Sequence, residues 1–162
     1  KNRALVKYVN EALSEQKKKQ QSPGEDDKSI LYNDLDTESS DIDKEYEINK
    51  QVFQKLDSLI RRDELYLSAD LSREDLVRMA HMNNTRFAKM IKENTGTNLS
   101  GYINELRLNH AIHLLKEHPE YTLRAIAEAS GINSMPTFHS LFKNKTGMTP
   151  SEFKKTQMDM KQ

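Results

Sequence analysis

The 162-residue chain is 35% apolar and 31% charged, too polar for one compact core running its full length, and it contains no cysteine. That composition excludes disulfides, thiolate metal sites and thiol nucleophiles together, and no apolar run approaches the ~18 residues of a membrane span. The net charge of zero hides an asymmetry: residues 1–70 hold 12 Lys/Arg against 16 Asp/Glu, whereas residues 71–162 hold 13 against 9 and all five histidines, which places any polyanionic partner on the second half.

Residues 1–21 carry a helical pattern, with Leu5, Val9 and Leu13 at intervals of four and Tyr8 and Ala12 beside them. Two short heptads are too few to establish a coiled coil. The chain opens in mid-pattern without an initiator methionine, so it reads as a fragment of a longer protein. Residues 22–41 form an acidic flexible linker by composition: Ser22-Pro23-Gly24 is followed by Asp, Glu and Ser, interrupted only by Ile30, Leu31, Tyr32 and Leu35. Helical periodicity returns over 42–63, where Val52, Phe53, Leu56, Leu59 and Ile60 make one apolar face and Arg61-Arg62 suit a helix C-terminus. We therefore place a domain over 42–162.

A helix over 71–80 follows, with Ser72 as N-cap, Asp75 three residues on, and Leu76, Val77 and Ala80 inward. His81-Met82-Asn83-Asn84 makes a turn, where Asn tolerates positive φ. The next helix buries Phe87, Met90 and Ile91, leaves Thr85, Arg86, Ala88, Lys89 and Lys92 facing out, and ends at Gly96. Residues 98–118 read as one long helix, apolar over more than half its circumference and stopped by Pro119. Thr122 caps a helix to Ser130 with Ile126 and Ala129 inward, Gly131 turns, and Pro136 opens a helix with Phe138, Leu141 and Phe142 buried. A short last helix runs from Thr149-Pro150-Ser151 through Phe153. With no convincing strand, the fold class is all-α.

The chain also repeats itself. At a shift of 50, Leu76 meets Ile126, Met82 meets Ile132 and Asn83 meets Asn133; at a shift of 51, Phe87 meets Phe138, Ile91 meets Phe142, Lys92 meets Lys143, Thr95-Gly96 meets Thr146-Gly147 and Tyr102 meets Phe153. Two similar helix-turn-helix units stand in tandem. A linking helix of about 20 residues is about 30 Å long, close to the ~34 Å between successive major-groove faces of a duplex. One chain could present two helices to one face of DNA.

The motifs YINELRLNHAIHLL (102–115) and IAEASGINSMPTFHSLFKNKTGMTPSEFKK (126–155) resemble the DNA-binding domain of AraC/XylS-type transcription regulators, and the likeness extends over 71–155. The lead-in QKLDSLIRRDELYLSADLSREDLVRMA is similar to the segment before this domain in Bacteroidetes-type sensor regulators, some of which carry a sensor and a membrane helix upstream. The resemblance implies seven helices, two homeodomain-like units joined by the long helix, and base reading by the third and sixth. Carried onto this chain, it implies that Thr85, Arg86, Ala88 and Lys89, then Met135, Pro136, His139 and Ser140, read bases. Lys89 suits a guanine edge and Thr85 a thymine methyl; Lys92, Lys143, Lys145 and the helix start at Thr149 and Ser151 suit phosphates. Many relatives carry Arg where this chain has Ser140, so weaker discrimination is expected in the second unit.

The resemblance further implies operator DNA and RNA polymerase as partners, a bacterial cytoplasmic setting (or the cytoplasmic part of a membrane-anchored sensor), homodimerisation through residues outside 71–155, and no small-molecule ligand, cofactor or metal in this fragment. His110 and His113 lack a third ligand in view and Arg107 reads as a structural hydrogen-bonding arginine. No phosphate loop, activated nucleophile or paired-acid spacing supports an enzyme. The rival class is a protein-interaction module that retains the fold with weak or non-specific DNA binding.

Overall fold

The computed structural model describes residues 34–160. The readings made on residues 1–33, the N-terminal helical segment and the first part of the linker, lie outside these residues. Seven α-helices follow one another: α1 (Asp34–Arg62), α2 (Arg73–Ala80), α3 (Asn84–Thr95), α4 (Leu99–Glu117), α5 (Leu123–Ala129), α6 (Met135–Thr146) and α7 (Pro150–Met160), with a single 3-10 turn at Leu65–Leu67. There is no strand among the described residues, as the all-α reading expects.

The helix starts are written in the side chains. Ser72 accepts from the Asp75 amide at 3.1 Å, Asn83 from Arg86 at 2.8 Å and Asn98 from Gly101 at 2.8 Å. The second unit uses Thr122, Ser134 and, at the start of α7, Thr149 in the same places, accepting from Ala125, Thr137 and Glu152. Each cap supplies an oxygen to an amide that has no intrahelical partner. The ends repeat too: Thr95 and Thr146 donate to the carbonyls of Ile91 and Phe142, and Gly96 and Gly147 then take φ of 74° and 79°.

Two cores result. In the first, Val52, Leu56, Leu59 and Ile60 of α1 meet Leu76, Met79 and Ala80 of α2, Phe87, Met90 and Ile91 of α3, and Tyr102, Ile103 and Leu106 of α4. In the second, Leu108, Ala111 and Leu115 of α4 meet Ile126 and Ala127, Ile132, Phe138 and Phe142. α4 belongs to both, which is why it is apolar around most of its surface. It is roughly 28 Å long at 1.5 Å per residue. α1 is tied to α4 by Asp57, which accepts from the Tyr102 hydroxyl and from Arg61 Nε at 2.8 Å. Burial and that carboxylate together push the Tyr102 hydroxyl's pKa far up, so it stays a donor.

Several sequence expectations need correction. α1 begins at Asp34, so residues 34–41, read as linker, are helical; acidic residues suit the positive end of a helix, and composition alone does not tell such a terminus from a linker. In the first turn the positive φ falls on His81, at 50°, whereas Asn83 sits at −78° as a cap. Asn83 is therefore matched by Ser134 rather than Asn133, and the shift of 51 begins before the second helix of each unit. Ala127, not Ala129, is the buried alanine of α5. The last helix runs on past Phe153 to Met160.

Candidate nucleic-acid interface

The caps fix where each second helix begins, and therefore which residues point away from the cores. On α3, Phe87, Met90 and Ile91 are inward, so Thr85, Ala88, Lys89 and Lys92, all exposed, form one row at spacings of 3, 4 and 7. On α6, with Phe138 and Phe142 inward, the exposed row is Pro136, His139, Ser140 and Lys143. The second row is the first moved on by 51 residues, member for member. Thr85 answers to Pro136, Ala88 to His139, Lys89 to Ser140 and Lys92 to Lys143.

Lys89 and Lys92 give the first row two cations, and Lys143 gives the second row one. Lys89 Nζ lies 3.9 Å from Glu93, an exposed pairing one turn along the helix. Such surface pairs are worth about 0–1 kcal/mol, so Lys89 can leave Glu93 for a stronger partner.

Four of the sequence-derived site residues lie elsewhere or are already engaged. Arg86 is half-buried on the flank of α3, where its Nε donates to Asn49 Oδ1 at 2.9 Å and lies 3.9 Å from Glu45. It binds α3 to α1. Met135 packs against the second core. Lys145 pairs with Glu105 across the surface between α6 and α4, an exposed pair of the same weak kind as that of Lys89. Thr149 is occupied by Glu152, whose carboxylate accepts from the Thr149 amide at 2.7 Å and from its hydroxyl at 2.9 Å. A carboxylate thus fills the helix start that had been read as a phosphate seat, while Ser151 beside it remains exposed.

Those bonds from Thr149, with a smaller contribution from Lys143, hold the Glu152 carboxyl below its usual range. A carboxyl with a depressed folded-state pKa stabilises the fold above its unfolded pKa and loses that contribution as pH falls through the folded value. We expect wild type to melt above Glu152→Gln near neutral pH, with the gap closing below about pH 4; a pH series of Tm for both proteins checks it, and a gap that persists in acid would count against the charge as the cause.

Asn49 is the functional-looking residue that sequence reasoning missed. It is 1% exposed, and its Nδ2 is the one buried side-chain donor without a partner among the described residues. The available signal was a polar residue on the apolar stripe of α1, 3, 4 and 7 residues before Val52, Phe53 and Leu56. The histidine pair is ordinary: His113 is exposed, and His110, half-buried edge-on to Tyr66, has its pKa lowered chiefly by burial. No cluster of metal-ligating side chains occurs among the described residues, and none of their helices is long and apolar enough to cross a membrane.

Residues 76–156 match the family described as a helix-turn-helix domain. Among curated proteins, the Bacillus subtilis transcriptional regulatory protein YesN is 39% identical over 80 residues, 49% of this chain and 22% of that one. The Bacillus subtilis HTH-type transcriptional regulator YobQ is 31% identical over 91 residues, 56% of this chain and 37% of that one. The chain therefore matches only 22% to 37% of the length of these regulators. Among solved structures, a Chromobacterium violaceum transcriptional regulator with an AraC-type DNA-binding domain superposes with a TM-score of 0.57 at 27% identity, covering 67% of this chain and 93% of that one. With the duplicated caps, the two exposed rows and the shared linking helix, these matches place the chain in the AraC-type helix-turn-helix family of DNA-binding transcription regulators.

Proposed function

We propose that the chain is the output domain of a bacterial transcription regulator that binds operator DNA by setting α3 and α6 into successive major grooves. The observation that carries this reading is the pair of equivalent exposed rows, each opened by the same kind of cap and each closed by Thr-Gly. In it, Thr85, Ala88 and Lys89 meet base edges in the first box, Pro136, His139 and Ser140 face the second, and Lys92 and Lys143 take phosphates. Arg86 and Met135 act from the flanks of the two rows, Thr149 contributes through its cap on α7, and the exposed Lys145 and Ser151 take further phosphates, Lys145 by leaving its surface pair with Glu105. The domain begins at residue 42, ahead of Asn49, the first buried side chain among the described side chains of α1. RNA polymerase as a protein partner, pairing of two chains through residues outside 71–155, and a cytoplasmic location complete the proposal.

Selection from random duplexes at moderate salt tests it. We expect enrichment of two boxes one helical turn apart, about 10–10.5 base pairs between centres. A second reading, an interaction module that keeps the fold with weak DNA binding, is favoured by Ser140 standing where the first unit has Lys89. Only steep salt-sensitive binding without any enriched sequence, or no binding at low salt, would favour that module.

A further inference from the structure

The two cores change over on α4 between Leu106, which belongs to the first, and Leu108, which belongs to the second. Arg107 stands at that point. Its Nε donates to the Tyr66 carbonyl at 2.6 Å and its Nη2 to the Ser68 carbonyl at 2.9 Å, both in the loop that follows α1. These are charge-assisted bonds from a planar fork that does not lose its proton, reaching 41 and 39 residues back along the chain. The same spot receives the turn of the second unit. Gly131 has a φ of 78°, and a Cβ placed on it would stand 2.8 Å from the Leu67 carbonyl oxygen and 3.0 Å from both Arg107 Nε and the Tyr66 oxygen. The corresponding residue of the first unit, His81, carries a full side chain at a φ of 50° and is exposed. Left-handed geometry alone therefore does not demand glycine in this turn; close approach of the backbones does.

Three segments thus meet at one residue: the loop of the first unit, the linking helix, and the turn that leads four residues later into α6. Backbone packed against backbone has little freedom to slide. We propose that Arg107 and Gly131 form the contact that sets the relative pose of α3 and α6, and hence the separation of DNA boxes that the chain accepts. Arg107 is a positioning residue in this account and touches no base. The inference rests on the two-groove reading above.

Adding or removing one base pair between boxes turns the second box by about 35° around the duplex, given 10–10.5 pairs per turn. A pose held by Arg107 cannot follow that rotation; a loosened one can. The test uses the full chain, the selected two-box duplex, versions with one base pair inserted or deleted between the boxes, and a version with the second box scrambled. Wild type is expected to lose about tenfold in affinity on either spacing change, comparable to a mismatched base pair. Arg107→Ala, and Arg107→Lys as the milder variant that keeps the charge but not the fork, should weaken binding at the native spacing. The three spacings should then fall within about threefold of one another, while affinity for the scrambled-second-box duplex stays at its wild-type value because α3 is undisturbed.

A variant with lowered Tm but a wild-type spacing profile would overturn the proposal, leaving Arg107 as a stability residue only. Should Arg107→Ala fail to fold, the spacing profile of Arg107→Lys decides in the same way. Indifference of the wild-type protein to scrambling the second box would instead remove the two-groove reading and this inference with it, and that result is visible before any variant is made.

Discussion

Phe138→Ala should lower the stability of the second unit by about 3–5 kcal/mol, the range for truncating a buried aromatic. Phe138 is fully buried, packs edge-on to Phe142 with ring centroids 5.7 Å apart, and Phe142 in turn meets Phe153 at 5.4 Å. Removing the first ring leaves a cavity at the start of a stack that joins α6 to α7. The loss approaches the lower end of a domain's whole stability, about 5–15 kcal/mol. The two cores have α4 in common and no other described helix, so the damage should stay local. Hydrogen exchange checks this: amides of α5, α6 and α7 should lose protection while those of α1, α2 and α3 keep it. Uniform loss along the chain would show that the two cores unfold as one body, coupled through α4 and Arg107.

The residues that were legible in sequence are those whose role is decided within one turn of helix. Ser72, Thr122 and Gly96 announce helix ends because capping depends on neighbours three or four positions away. Phe87, Ile91, Phe138 and Phe142 announce the buried stripes because period 3.6 is itself a local pattern. The exposed rows on α3 and α6 follow from the stripes by exclusion. What escaped was decided over distance. Arg86 looks like a reading residue until Asn49, 37 positions earlier, is found accepting its Nε–H. Lys145 has an exposed partner that no local pattern names, Glu105, 40 positions earlier. Thr149 is the instructive exception, because its competitor is only three residues on: Thr149-Pro150-Ser151-Glu152 is a capping box in plain letters. A helix start with its own carboxylate in place is a poorer seat for a second anion.

The start of α1 shows a different limit. Acidic, serine-rich sequence is shared by linkers and by helix N-termini, and residues 34–41 turn out to be the latter. Length, rather than composition, carried the missing information: α1 is continuous for 29 residues, and the apolar stripe that begins at Val52 packs into the first core.

Lys89→Ala is expected to reduce affinity for the selected operator by about 1–3 kcal/mol, or roughly 5- to 150-fold, and to relax preference at one base of the first box. The argument rests on placement. Lys89 is exposed at the centre of the row formed by Thr85, Ala88 and Lys92, and among the described residues its ion pair is the weak one with Glu93. In the proposed two-groove pose, a cation at that position would gain a guanine edge while surrendering little. Lys92→Ala and Lys143→Ala set the comparison. A phosphate contact carries no sequence information, so each should weaken operator and random duplexes alike and reduce the slope of log affinity against log salt by about one. The difference between the two behaviours is the measurement. Equal losses for Lys89→Ala on operator and random DNA would make it a third phosphate contact, and base reading in the first groove would then fall to Thr85 and Ala88. Ser140→Lys carries the same logic to the second unit, where it restores the cation that α3 has at the equivalent position. If α6 lies in its groove as α3 does, that substitution should sharpen preference in the second box, whereas a helix that never enters the groove would give only a steeper salt slope.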